Sequence, residues 1–560
     1  MSHVFGPTRS RRLRYTGLAA AAVLASGAAL LPGAASAHVA RDGKHVLVIS
    51  VDGLHQSDLA WYVKQHPHSA MAQLVAGGVD YTNAQTTNPS DSFPGMIAQF
   101  TGATAGQSGV YYDDTYNHAL LPPGTTDCKG ATPGTEVAWT EGADKDLNAL
   151  DAGQGLANLP GSILRMTGKP ATLLDPANLP VDPATCKPIY PSQYLRVNTV
   201  FDVAKQSGLR TAWSDKHPAY SILEGKSGDS IDDLFTPEIN SSSTAAGYPA
   251  GSDWSTDNAA TRQYDGYKVQ AVLNEIDGYD HARGQKTGVP AIFGMNFQTV
   301  STGEKLPASD GLKGGYLADG LTPGPLLSSS LDWVDAQLGR FLGEIRARHL
   351  QDSTTIILSA KHGQSPTKPA DLTRIPDGPI VDAVNAAWAK AHPGAKAPLV
   401  AFTVNDDAML WWLSDRSQAA ADFAKDYLMH LSGIGNDING APKPFTRAGL
   451  KAVYAGRAAA QYFGTTHSDP RVPDLVGVAQ VGTVYTGGQK KIAEHGGANP
   501  ADRDVPIVVS GAGIHTGASH YDAAPVLTTQ IAPTILELLG LDQEALQTVR
   551  EDHVRDLPRI

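Results

Sequence analysis

The sequence predicts an α/β fold with a mostly parallel central sheet and helices on both faces. Four short apolar runs rich in β-branched residues indicate buried strands, at residues 46–51, 291–297, 355–358 and 505–510. Helical spacing separates these runs and is clearest at Leu327, Leu331, Val334, Leu338, Leu342 and Ile345. Because alternating strands and helices build parallel sheets, we expect functional side chains at the carboxyl ends of the strands.

Two segments interrupt the alternation of strands and helices. About residues 121–191 are rich in Pro, Gly, Asp and Thr, which predicts a loop-rich excursion over the sheet edge. About residues 367–482 carry short helices and strands of their own and are interpreted as a smaller inserted subdomain. Residues 38–560 as a whole are predicted to form one α/β domain that carries both segments.

The composition is that of a loop-rich globular protein. Hydrophobic residues make up 41% of the 560 positions, which excludes a wholly disordered chain, and 57 Gly and 37 Pro predict many turns. The formal net charge of -12 argues against binding to nucleic-acid polymers or anionic lipid. A small anionic substrate held by a metal ion is compatible with this charge.

The first 37 residues have the pattern of a signal peptide. Four arginines between positions 9 and 14 precede an apolar stretch at residues 16–31, and Ala35-Ser36-Ala37 matches the small-x-small cleavage pattern. We predict cleavage after Ala37 and a secreted or extracytoplasmic protein with no stable membrane insertion. Arg11 and Arg12 leave both the Sec and the twin-arginine routes open, and an uncleaved anchor is the alternative.

Two cysteines, Cys128 and Cys186, both lie in the predicted excursion. An exported protein meets an oxidising environment, which favours a disulfide that ties this long segment. A metal site would require more Cys or paired His residues. Two unpaired surface thiols are the alternative.

Four polar residues lie where the predicted elements begin or end. Asp52 follows the first strand in SVDG, His362 follows a later strand in LSAKHG, and His495 precedes the last apolar run in EHGG. Ser92 lies in NPSDSFPG, where a turn leads into an apolar segment, so its hydroxyl is predicted at a helix N-terminus. Taken singly, these residues are typical of turns and caps.

In this order and spacing, and with the closing TTQIAPTILELLGL, the motifs resemble those of the alkaline phosphatase superfamily over about residues 44–540. The type I phosphodiesterase and nucleotide pyrophosphatase branch is the most similar. The resemblance implies an alkaline phosphatase-like fold and a metal-dependent hydrolase of phosphodiesters or nucleotide pyrophosphates with a small phosphorylated substrate. It also implies one or two divalent ions, with zinc preferred and manganese as the alternative.

The resemblance assigns roles to four residues. Ser92 is implied to be the nucleophile that forms a phosphoseryl intermediate. Asp52 and His362 are implied to hold the metal ion that activates it, and His495 is implied to hold the other ion.

Three positions depart from the family pattern. Lys361 replaces a metal-binding aspartate next to His362, and a charged ammonium cannot bind a metal. The family has an Asp and a His four residues apart after a middle strand, and we assign these positions to Val300 and Glu304, of which only Glu304 can donate an oxygen. Asp113 takes the place of an Asn that contacts phosphate in the family.

Three hypotheses accommodate these departures. In the first, Asp52, Ser92, His362 and Asp113 hold a single metal ion, and Lys361 supplies part of the missing positive charge. In the second, other residues complete a rearranged metal pair, and the candidates are Asp215 with His217, or His467 with Asp469 and Asp474. Asp215 and His217 are two residues apart on a predicted strand and are expected to face the same side.

In the third hypothesis the chain is an extracellular binding protein that has lost catalysis. A phosphonate or sulfate ester hydrolase is a further alternative, but Met96 stands where the common sulfatase motif, Ser-x-Pro-x-Arg, requires arginine.

Overall fold

An eight-stranded sheet organises the computed structural model, which describes residues 43–242, 253–395, 397–517 and 519–560. The predicted signal peptide, residues 1–37, lies outside the described residues. In spatial order the strands are Tyr521–Asp522, Gly78–Tyr81, Ile507–Gly511, Thr354–Ser359, His45–Val51, Ile292–Phe297, Ala212–Ser214 and Asp233–Phe235. We call His45–Val51 the central strand.

The sheet is mostly parallel, as predicted. The central strand pairs in parallel with Ile292–Phe297 on one side and with Thr354–Ser359 on the other. Ile507–Gly511 runs antiparallel to both of its neighbours. Its apolar sequence marked it as a buried strand, but the periodicity of a short run carries no information on strand direction.

Helices cover both faces of the sheet, which confirms the predicted layers. Alternate residues of the central strand enter two different apolar clusters, Val46 and Val48 in one and Leu47 and Ile49 in the other. The α-helices of at least seven residues are Gln56–Gln65, Ala70–Ala76, Ser92–Thr101, Val200–Gln206, Asn258–Ile276, Thr299–Lys305, Pro325–Ala347, Gly378–Ala391, Gln418–His430 and Ile531–Leu539. Pro325–Ala347 buries most of the predicted apolar stripe that begins at Leu327.

Two smaller sheets lie across the segment interpreted as an inserted subdomain. One is antiparallel and contains Val400–Asn405, Ala408–Leu413, Leu475–Ala479 and Leu450–Ala455. The other contains Pro442–Phe445, Gly433–Asn436, Thr373–Ile375 and Thr483–Tyr485. An apolar cluster that includes Trp388 and Trp411 packs in this segment.

The excursion at residues 121–191 contains only short elements, and the predicted disulfide between Cys128 and Cys186 is present. Within the described ranges, no helix combines the length and the apolar composition needed to cross a membrane.

A buried ion pair joins the last strand of the sheet edge to the loop after helix Asn258–Ile276. His281 Nδ1 lies 2.5 Å from Asp233 Oδ1, and its Nε2 lies 2.7 Å from the carbonyl oxygen of Met166. Both partners only accept hydrogen bonds, so both ring nitrogens donate and the ring is an imidazolium. Burial alone would lower the pKa of His281, but the bond to Asp233 outweighs it and the pKa is raised.

We predict that His281→Gln destabilises the protein in a pH-dependent way. A raised pKa means that the stabilisation is present below about pH 6.5 and is lost as the pH rises through the folded-state pKa. Urea unfolding at pH 6 is expected to show a loss of about 1.5–3 kcal/mol, and the loss is expected to shrink at pH 9. The exposed His515→Gln serves as the control, and an equal loss at both pH values would contradict the assignment.

Candidate active site

Ser92 is the first residue of helix Ser92–Thr101, as the turn-to-helix pattern predicts. The Asp91 side chain caps this helix by accepting a hydrogen bond from the Phe93 backbone nitrogen at 2.9 Å. Ser92 is only 1% exposed. The hydroxyl is therefore held at the positive end of the helix dipole, a position that favours developing negative charge.

Three side chains surround the Ser92 hydroxyl. Its Oγ lies 3.3 Å from Asp52 Oδ2, 3.3 Å from His362 Nε2 and 2.8 Å from Lys216 Nζ. Asp52 follows the central strand and His362 follows its parallel neighbour, so the topology of the sheet brings them to one edge. We call Asp52, Ser92, Lys216 and His362 the serine centre.

The tautomer of His362 follows from its second hydrogen bond. His362 Nδ1 lies 3.0 Å from the carbonyl oxygen of Gly363, which can only accept, so Nδ1 carries the hydrogen. Burial lowers the pKa of His362 to about 3, so the ring is neutral at ordinary pH. The lone pair of Nε2 therefore faces Ser92 and can receive a proton or bind a cation.

Asp52 is held as a carboxylate by amide and ammonium groups. Asn296 Nδ2 donates to its Oδ1 at 2.8 Å, and Gln298 Nε2 donates to its Oδ2 at 2.5 Å. Burial would raise the pKa of Asp52, but the charges of Lys361 and Lys216 and the bond from Gln298 together lower it.

Lys361, the predicted substitute for a metal-binding aspartate, is fully buried beside the serine centre. Its Nζ lies 3.0 Å from Asp215 Oδ1, 2.9 Å from the Tyr220 hydroxyl and 3.8 Å from Asp52 Oδ2. Burial lowers the pKa of Lys361, while Asp215 and Asp52 oppose this shift. Asp215 is therefore the principal counter-ion of Lys361.

Lys216 is a site residue that the sequence reasoning missed. Besides contacting Ser92, its ammonium lies 3.7 Å from Asp52 Oδ2. Burial would lower its pKa, but Asp52, Asp113, Asp91 and Asp215 together raise it, so the group stays charged. The signal available in the sequence was its position, since Lys216 comes just after a buried strand and lies between the candidate residues Asp215 and His217.

The expectation that Asp215 and His217 share a role is wrong. The strand ends at Ser214, so the alternation of side chains along a strand does not extend to these residues. Asp215 pairs with Lys361, whereas His217 Nδ1 lies 2.8 Å from Glu238 Oε1. The alternative candidates are engaged elsewhere, since Asp469 pairs with Arg196 and Asp474 pairs with Arg416 and His467.

The assignment of Val300 and Glu304 is also corrected. The middle strand ends at Phe297, and Gln298, Ser301, Thr302 and Lys305 after it border the cavity, whereas Val300 and Glu304 do not. Val300 packs in an apolar cluster. Glu304 accepts hydrogen bonds from Tyr316 and Gln364, each at 2.7 Å, in a separate polar cluster with His55 and Asp58.

A cavity of about 890 Å³ adjoins the serine centre. Its border includes Lys216, Gln298, Asp113 and His495. The centroids of the His495 and His362 rings are 4.0 Å apart, and His495 Nδ1 lies 3.6 Å from Asp91 Oδ1. The structure thus brings His495 and Asp113 to the same cavity edge as the serine centre.

The donor atoms of the serine centre fit one divalent cation. Asp52 Oδ2, Ser92 Oγ and His362 Nε2 are 3.3, 3.3 and 3.8 Å apart. Tetrahedral zinc with bonds of about 2.0–2.2 Å separates its donors by about 3.4 Å. Oxygen and imidazole donors also suit zinc or manganese.

A second group of possible cation ligands contains His495, with one donor atom each from Asp406, Glu494 and His495 within 4.8 Å of the other two. However, Glu494 pairs with Lys305 at 2.8 Å and with Lys491. Those ammonium groups oppose the binding of a cation there, as Lys216 and Lys361 do at the serine centre.

We predict that Lys361→Met destabilises the fold because it leaves Asp215 buried without its counter-ion. The expected loss is about 3–5 kcal/mol in urea unfolding. The double variant Lys361→Met/Asp215→Asn removes both charges and is expected to recover much of this loss. Additive losses in the double variant would show that the two groups do not compensate each other.

The family model for type I phosphodiesterase / nucleotide pyrophosphatase matches residues 46–502. Murine ectonucleotide pyrophosphatase / phosphodiesterase 5 is similar in structure, with a TM-score of 0.52 and 13% identity over 89% of this chain and 96% of the murine chain. Wild-type alkaline phosphatase PafA has a TM-score of 0.56 and 14% identity over 89% of this chain and 96% of the PafA chain. No curated protein sequence gives a match. This chain belongs to the type I phosphodiesterase / nucleotide pyrophosphatase family.

Proposed function

We propose that the chain is an exported hydrolase of phosphodiesters or nucleotide pyrophosphates that acts through a phosphoseryl intermediate on Ser92. The observation that carries this proposal is the position of Ser92 Oγ, which contacts the lone pair of His362, the carboxylate of Asp52 and the ammonium of Lys216 beside a large cavity. The disulfide and the signal-like N-terminal sequence support export.

Lysine side chains on the border of the cavity can contact an anionic substrate. Lys216, Lys305, Lys490 and Lys491 border it, together with the carboxylates of Asp113, Asp253, Asp257, Asp406 and Glu494. An inactive variant of the murine relative is described in complex with AMP. We infer that a nucleotide-type phosphate ester is the substrate class of this chain.

A divalent cation held by Asp52, Ser92 and His362, zinc or alternatively manganese, would lower the pKa of the serine hydroxyl and offset phosphoryl charge. The Lys216 ammonium, which contacts Ser92, would donate a hydrogen bond to a phosphoryl oxygen as negative charge develops on that oxygen. Asn296 and Gln298 fix the Asp52 carboxylate, so that little reorganisation is needed during the reaction.

The reaction proceeds in two steps. In the first, Ser92 Oγ gives up its proton and bonds to phosphorus, the bond from phosphorus to the leaving oxygen breaks, and the leaving alcohol or nucleotide takes up that proton. In the second, a water oxygen bonds to phosphorus, the bond from phosphorus to Ser92 Oγ breaks, and a proton from the water restores the serine hydroxyl. Phosphodiester cleavage then yields a phosphomonoester and an alcohol, with the serine regenerated.

We expect Ser92→Ala to lower the kcat for bis(p-nitrophenyl) phosphate, measured with zinc or manganese supplied, by at least about 10³-fold. Ser92→Thr keeps a hydroxyl and is expected to retain turnover. Acid quenching of the wild-type enzyme should trap phosphate on Ser92, detectable by mass spectrometry. Undiminished turnover by Ser92→Ala would remove the mechanism.

We expect Lys216→Met to lower kcat by about 10²–10³-fold, because one charge aimed at the phosphoryl group is lost. The exposed Lys313→Met is the matched control and should leave kcat unchanged. An unchanged kcat in Lys216→Met would contradict the role given to this ammonium.

Binding without turnover is the competing function, favoured by the substitutions of family metal ligands at Lys361 and Val300. If the metal-supplied wild type binds AMP in calorimetry but hydrolyses no diester, phosphonate or sulfate ester, the chain is a binding protein.

A further inference from the structure

A second polar cluster lies at the sheet edge, apart from the serine centre. His217 and Glu238 follow two adjacent parallel strands, Ala212–Ser214 and Asp233–Phe235. Glu141 and Asp144 come from the loop-rich excursion. We call Glu141, Asp144, His217 and Glu238 the edge cluster.

Three members of the edge cluster already have the spacing of cation ligands. One donor atom each from Glu141, His217 and Glu238 lies within 4.8 Å of the other two. His217 Nδ1 is 2.8 and 2.9 Å from the two carboxylate oxygens of Glu238. Glu141 Oε2 accepts a hydrogen bond from Asn240 Nδ2 at 2.9 Å, which orients its carboxylate.

Asp144 is the independent observation that points to a missing ligand. The residue is 2% exposed, and neither of its carboxylate oxygens has a hydrogen-bond donor beside it; the side chain close enough to share a proton with it is the Glu238 carboxylate. The carboxyl faces Glu238, whose charge is the strongest acting on it. Two buried carboxylates that face each other without a donor between them are strongly unfavourable unless a cation or a proton is shared.

The charges within the edge cluster do not balance. Its three carboxylates have one imidazole among them. In the part of the chain that the structure describes, no lysine or arginine forms an ion pair with Glu141, Asp144 or Glu238. A divalent cation would offset most of this negative charge.

We propose that the edge cluster binds a divalent cation, with Glu141, Asp144, His217 and Glu238 as its ligands. Carboxylate oxygens combined with an imidazole nitrogen suit zinc. This site is additional to the serine centre, and its occupancy does not depend on the proposed hydrolysis.

The cation would have a positioning role. His217 directly follows Lys216, which contacts Ser92, so fixing His217 fixes the loop that carries Lys216. Glu141 and Asp144 would tie the excursion to the same loop. The bound ion would therefore stabilise the folded chain as well as hold the cavity edge.

The alternative way to neutralise the edge cluster is a proton shared between Asp144 and Glu238. Burial and the charge of Glu238 raise the pKa of Asp144 to about 11, which is compatible with such a proton. The two accounts differ in whether removal of metal ions affects the protein.

The test uses the full chain, stripped with EDTA and then dialysed against Zn²⁺, with bound zinc measured by elemental analysis. Asp144→Asn and Glu141→Gln are each expected to bind one ion fewer per chain than the wild type. The exposed Asp146→Asn, two residues from Asp144, is the matched control and should bind as the wild type does. EDTA should lower the Tm of the wild type, and part of that shift should disappear in Asp144→Asn.

Equal zinc content in the wild type, Asp144→Asn and Glu141→Gln, with the same EDTA-dependent shift in Tm, would overturn the proposal in favour of the shared proton. His362→Ala separates the two sites, because it should lose only the ion of the serine centre. A chain that loses zinc in His362→Ala but not in Asp144→Asn has no cation in the edge cluster. Loss of zinc in Asp144→Asn but not in His362→Ala would show that the edge cluster binds an ion and the serine centre does not.

Discussion

The arrangement of the site depends on compensation of the buried Asp52 carboxylate. Asp52 is 1% exposed, and the ammonium groups of Lys216 and Lys361 lie 3.7 and 3.8 Å from its Oδ2. A buried carboxylate without such partners would cost several kcal/mol. Each partner in turn requires its own support: Lys361 needs Asp215, and Lys216 is held among several carboxylates. The carboxyl ends of the strands and their loops are therefore bound into one electrostatic unit around Ser92.

The loop after strand Ala212–Ser214 connects this unit to the rest of the molecule. Its three successive residues point to three different partners, since Asp215 pairs with Lys361, Lys216 contacts Ser92 and His217 pairs with Glu238. Substitution of Asp215 should therefore affect the charge balance at Lys361, substitution of Lys216 the contact with Ser92, and substitution of His217 the sheet edge. We propose that lysine charges take over part of the positive charge of a metal pair, since the donor atoms of Asp52, Ser92 and His362 fit one ion.

The sequence predicted the layers of the sheet and three members of the serine centre because those residues directly follow or begin regular elements. Asp52 and His362 follow apolar strands, and Ser92 begins a helix after a turn-forming run. Lys216 was missed because a lysine is ordinarily a solvated residue, although it lies just after a buried strand. Gln298 was missed because a glutamine after a strand carries no signal of its own, and its hydrogen bond to Asp52 joins residues 246 positions apart. Contacts between loops distant in sequence, such as that between Lys361 and Asp215, have no local signal.

The most direct test of a single-cation serine centre is an anomalous difference map from crystals of the zinc-loaded protein, recorded at the zinc absorption edge. The account predicts one peak among Asp52, Ser92 and His362, with no further peak between that position and His495. Two peaks about 4 Å apart at this position, as in binuclear phosphoryl-transfer sites, would contradict the proposal that lysine charges replace a second ion.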